Sequence, residues 1–135
     1  MNEIRWLDSM SVGLAEFDDD HRRIIAALGQ IAIALDRGEH DTAVGLAEQV
    51  VAVATDHIRR EGVFLRQVEF PGADDVIGVQ QRNLGNLAAL VAQLRNNPAD
   101  AGAVAQNMAR EFIAYLLRAD INYKSYVEHA GLSDC

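Results

Sequence analysis

The chain has 135 residues, half of them hydrophobic, and carries 12 basic against 20 acidic side chains for a formal charge of −8. That length suits one domain, 1–135, able to bury a real core, and the acidic balance argues against nucleic acid and against anionic membrane surfaces. No run approaches the ~20 apolar residues that span a bilayer. Met1 to Met10 has no apolar h-region and the sole cysteine, Cys135, can make no intrachain disulfide, so a cytoplasmic protein is expected.

Residues 1–17 mix polar and apolar side chains around Trp6 and Gly13 and read as an extended arm, with Trp6 as a packing anchor. A first helix is expected over about 18–37. Asp18-Asp19-Asp20 complements the dipole at its start, and Gly38 lies just past its end. Its stripe is Ile24, Ile25, Leu28, Ile31, Ile33 and Leu35, mostly at spacings of three and four. A second helix, about 41–68, takes Asp41 as N-cap and stops ahead of Phe70-Pro71-Gly72. Its inner face reads Leu46, Val50, Val53, His57, Glu61, Phe64 and Val68.

The third helix, about 74–95, carries Leu84, Leu87, Leu90, Val91 and Leu94 and ends at Asn96-Asn97-Pro98. The fourth runs over about 99–129 and closes at Gly131, with Met108, Phe112, Leu116, Asp120, Tyr123 and Val127 on its apolar face. Four amphipathic helices with short connections predict an all-α, up-down-up-down four-helix bundle with an N-terminal arm.

The chemistry lies where polar residues interrupt these stripes. His21 is four before Ile25 and seven before Leu28, so it points inward from the first turns of its helix. His57 and Glu61 are four apart on one face. His21 lies 17 residues before Gly38 and His57 lies 17 after His40, which puts both roughly 25 Å from the same turn at 1.5 Å per residue. Asp120 interrupts the fourth stripe four after Leu116 and three before Tyr123.

Buried carboxylates must be paired, metal-bound or protonated, and two histidines with a carboxylate suit iron or zinc. The alternative is a buried hydrogen-bond network. Tyr123 is a candidate phenolic neighbour, whereas His40 and His129, near turns, are expected in solvent. No glycine-rich phosphate loop, GxSxG elbow or paired-cysteine motif is present. No second catalytic group can be named either, so an enzyme is not expected.

Several motifs resemble the hemerythrin family, non-haem di-iron oxygen-binding bundles that include the bacteriohemerythrins. Trp6, Val12-Gly13-Leu14 and Phe17-Asp18-Asp19-Asp20-His21 are similar to the family's arm and first ligand histidine. His57-Ile58-Arg59-Arg60-Glu61 is similar to its HxxxE motif, Phe70-Pro71 to the pair before its third helix, and Phe112 to Ile121 to its fourth-helix motif. The resemblance covers nearly the whole chain. It implies that His21 and His57 bind one iron and that Glu61 bridges to the other.

The departures fall on that other iron. Where the family carries HxxxH, this chain has Val76 and Gln80, or Ile77 and Gln81 in the alternative register. Asp120 stands in place of the fourth-helix histidine, Leu116 in place of its tryptophan neighbour, and Ser125 in place of the second bridging carboxylate. With four histidines in all, the chain lacks the five that the resemblance requires for a di-iron centre. The expectation is a half-site with one metal at most, at His21, His57 and Glu61, with Asp120 or water completing it. Iron is favoured by resemblance, zinc or manganese fit the same donors, and dioxygen or another small molecule would be the ligand bound or sensed. A metal-free interaction or regulatory bundle is the alternative.

Overall fold

The computed structural model describes residues 5–121 and 123–132; the side chains of Tyr115, Leu116 and Ala119 lie outside that description, as does Cys135. Three long helices, α1 (Ala15–Asp36), α2 (His40–Gln67) and α3 (Ala73–Asn96), precede a fourth that is built in pieces. These are α4 (Ala101–Arg110), a π-helical stretch Glu111–Leu117, α5 (Arg118–Ile121) and α6 (Lys124–His129). Consecutive helices pack side by side and α4 returns against α1, closing a four-helix bundle. Among the described residues there is no strand, and no helix is long and apolar enough to cross a membrane.

The arm is shorter than expected. α1 begins at Ala15 rather than at the acidic run, after a 3-10 turn at Asp8–Met10 and a bend at Gly13 with φ +82°. Asp18 explains the early start. Its Oδ1 accepts from the Val12 amide at 2.9 Å and its Oδ2 from the Ser11 hydroxyl at 2.6 Å, so a buried carboxylate ties the arm to the first turn of the helix. Trp6 packs against the core as an anchor, with the Arg22 guanidinium 4.5 Å from its ring centre.

The helix ends follow backbone chemistry. At Gly38 (φ +72°) the Gly38 and Glu39 amides return to the carbonyls of Leu35 and Ala34, the glycine-terminated pattern that satisfies orphan carbonyls. α2 then starts at His40, which leaves Asp41 inside the first turn rather than at the cap. His40 is half-buried with an unpartnered Nε2, not solvated, whereas His129 is exposed and bonds the Ser125 carbonyl. α2 ends by the same device as α1, but with Glu69 at φ 56° in the glycine position.

The buried face of α2 is also rotated from the expected one. Ala43, Ala47 and Ala54 are buried, while Leu46, Val53, Phe64 and Val68 are half-exposed. Small side chains thus occupy much of the buried face, and larger ones lie at its margins.

The fourth helix is not continuous, and the break serves the core. In an α-helix, residues four apart overshoot a full turn by about 40°, so Phe112 and Asp120 would drift out of line. The wider i→i+5 turns of the π-helical stretch unwind that drift, and Phe112, Asp120, Tyr123 and Val127 are all fully buried.

Apolar side chains form two clusters. The larger one includes Ile24, Ile58, Leu87 and Phe112, and the smaller includes Phe17, Leu65, Val76 and Tyr123. On each helix the polar interruption falls between the two.

Glu69 is exposed and holds a conformation that costs an L-residue about 1 kcal/mol relative to glycine. Glu69→Gly should therefore raise the unfolding free energy in urea by about 1 kcal/mol, with helical content unchanged.

Candidate metal centre

The polar layer is assembled from all four helices. α1 contributes His21 and Asp20, α2 contributes His57 and Glu61, α3 contributes Gln80 and α5 contributes Asp120, each of them buried. The equal depth expected of the two histidines is met, since their ring centres lie 4.6 Å apart. Phe112 flanks His21 at 5.8 Å and Phe17 flanks His57 at 5.2 Å, both edge-on, so apolar rings fix the imidazoles laterally.

Asp120 is the hub. Its Oδ2 lies 2.6 Å from His21 Nε2 and 2.9 Å from His57 Nε2. One donor atom from each of His21, His57 and Asp120 lies within 4.8 Å of the other two, a set able to hold a metal ion. Two donors held about 2.1 Å from one ion at right angles stand about 3 Å apart, close to the spacings around Oδ2.

The two histidines differ in their bonding. His57 is saturated, with Nδ1 against Asp20 Oδ2 at 2.9 Å and Nε2 against Asp120. His21 is not. Despite the 2.6 Å approach, Nε2 lacks the alignment of a hydrogen bond, and Nδ1 has no partner among the described residues.

Glu61 stands apart from that trio. Its Oε2 is 3.0 Å from His57 Nε2, but the same oxygen accepts from the Tyr123 hydroxyl at 2.6 Å, and Oε1 meets Gln80 Nε2. Gln80 Nε2 also meets Asp120 Oδ1. On α3, Gln80 enters the layer, with Val76 buried one turn before it, while Gln81 is exposed. Ser125 is exposed and takes no part.

Proton affinities follow from these contacts. Burial works against a charged His57, but hydrogen bonds to Asp120, Asp20 and Glu61 outweigh it and push the ring up to about 12. Burial would raise Asp120, yet the adjacent His21 and His57 hold it well below the usual carboxylate range. Glu61 is pushed up to about 8 by burial and by the Asp120 carboxylate beside it. Burial and the same two carboxylates keep the Tyr123 phenol protonated, so it donates.

Behind His57 a chain of contacts reaches the surface. Burial opposes the charge on Asp20, but His57 and Arg60 lower its proton affinity. Arg60 in turn bonds Asp20 and Glu16 at 2.5 Å and Asp56 at 2.7 Å. A surface groove of about 340 Å³ lies over Arg60, Phe17 and Phe64, one ring away from His57.

Sequence reasoning assigned Asp20 to the helix dipole and missed its role. Its position three after Phe17 and four before Ile24 places it on the buried stripe, a signal masked by its two acidic neighbours. Comparison with known proteins leaves the layer to be read from its own chemistry: no family model matches the chain, and no curated protein matches it.

Proposed function

We propose that this bundle binds one metal ion through His21 Nε2, His57 Nε2 and Asp120 Oδ2, in a hemerythrin-like fold that has kept one metal position and lost the other. The observation that carries the reading is His21. It is fully buried, and among the described residues neither ring nitrogen has a hydrogen-bond partner although a carboxylate oxygen is 2.6 Å away. An imidazole in that state lacks the bonds that buried polar groups ordinarily make, and an ion shared with Asp120 would satisfy its Nε2.

Iron is the favoured ion by resemblance, and zinc or manganese fit the same nitrogen and oxygen donors. When bound, the ion supplies a Lewis-acidic position at which dioxygen or another small molecule would be sensed or held. Asp20 fixes the His57 ring by accepting from Nδ1, which leaves Nε2 for the ion. The role is binding or sensing rather than catalysis or two-iron oxygen carriage, since Val76 and Gln80 offer no imidazole for a second iron.

A metal-free bundle is the second reading. It is favoured by His57, whose two nitrogens already sit between Asp20 and Asp120 without an ion. Under that reading, added iron(II), zinc(II) or chelator leaves the thermal midpoint unchanged.

Protein purified without chelator should contain close to one equivalent of metal by elemental analysis, and His57→Ala should contain none. Less than about a tenth of an equivalent in the unaltered protein rejects the reading. Asp20→Asn should weaken the ion's affinity by roughly 10- to 100-fold with the stoichiometry preserved.

Binding also requires a neutral His57. Because that ring is pushed up to about 12, ion entry near neutral pH must expel its proton. The affinity for zinc(II), followed calorimetrically between pH 6 and 8, should rise about tenfold per pH unit for each proton released. Without the ion the sign reverses. The stability contributed by charged His57 is complete below its unfolded value of 6.5 and is lost as pH climbs toward 12.

A further inference from the structure

Glu61 and Asp120 converge on a single nitrogen. Gln80 Nε2 touches Glu61 Oε1 and Asp120 Oδ1 together, and all three side chains are fully buried. Two carboxylate oxygens aimed at one point from α2 and α5 are the surroundings of a cation. The occupant here is a neutral amide with two N–H donors.

The rest of that amide gains nothing from the arrangement, because Gln80 Oε1 is buried without a partner. An unsatisfied buried carbonyl is unfavourable, so the position is suited to the NH2 group and tolerates the oxygen. The remaining carboxylate oxygens are committed elsewhere: Glu61 Oε2 to Tyr123 and His57, and Asp120 Oδ2 to the two histidines.

We propose that the Gln80 NH2 group takes the place of a second cation between Glu61 and Asp120, limiting the centre to one ion while turning Asp120 Oδ2 toward His21 and His57. The limit of one ion rests on the one-metal reading above; the role of the amide as occupant does not. Gln80 is then a specificity-determining and positioning residue. Its bonds go to the two carboxyl groups rather than to the imidazoles, yet it governs both the number of ions and the aim of the ligand oxygen.

Cobalt(II) is a suitable probe, with content measured by elemental analysis after dialysis and spin count by electron paramagnetic resonance. The unaltered protein should hold one equivalent that integrates as an isolated ion. Gln80→Glu and Gln80→His, each supplying a ligand in place of the NH2, should hold two equivalents with less signal than two isolated ions, because a shared carboxylate couples them. Gln80→Leu should keep one equivalent bound at least about tenfold more weakly, since Asp120 loses its restraint.

If both ligand-bearing variants keep native helical content and still hold one equivalent, the role of Gln80 is overturned and the one-metal reading survives. If the unaltered protein holds none but the variants take up cobalt, the one-metal reading falls and the amide stands as the group that excludes cations. If none of the proteins holds cobalt, both are rejected. Gln80→His, which adds no third carboxylate to the layer, decides the question should Gln80→Glu fail to fold.

Discussion

The bundle is organised around one demand: a layer of buried ionisable side chains must satisfy itself without water. His21, His57, Glu61, Gln80 and Asp120 sit between two apolar clusters, each drawn from a different turn of the same helices. An unpaired charge there would be strongly destabilising. Asp120 is therefore placed against both imidazoles, Glu61 against a phenol and an amide, and His57 between two carboxylates. Other features serve this layer. The π-helical stretch brings Asp120 into line, and the aromatic rings of Phe17 and Phe112 brace the histidines.

Among the described residues, the layer reaches the surface through His57. Through Asp20, His57 communicates with Arg60, a residue still one-quarter exposed, and through it with Glu16 and Asp56 at the surface. Among the same residues His21 has no such outward contact, and its Nδ1 lacks a partner. The two imidazoles are thus unequal. His57 is held by carboxylates on both sides, whereas His21 meets a carboxylate, Asp120, on one side and the ring of Phe112 beside it.

Much of this was legible in the residues themselves. The stripe spacings specify four helices, and equal distance from the Gly38 turn places His21 and His57 at one depth, which the ring contact bears out. Gly38, Gly131 and the Phe70-Pro71-Gly72 turn mark helix ends because left-handed and proline conformations are local properties. The inner face of α2 was harder to read, since alanines bury as completely as leucines while carrying little hydrophobic weight. The division of labour between Glu61 and Asp120 was beyond reach. It depends on where α3 projects Gln80 and α6 approaches with Tyr123, and no spacing within one helix encodes that. The π-helical stretch was equally hidden, because the i→i+5 pattern answers to tertiary packing rather than to any residue type between 111 and 117.

That stretch also sets the phase of Asp120, which reaches the interior after turns that hold more residues than an α-helix would. Inserting one residue into α5 ahead of Asp120 would swing that side chain by about 100° about the helix axis, carrying the hub carboxylate away from both imidazoles at once. Chain length is therefore part of the site in the fourth helix. There the count of residues matters as much as their identity, whereas in the Asn97–Asp100 connection it governs only how the helix is reached.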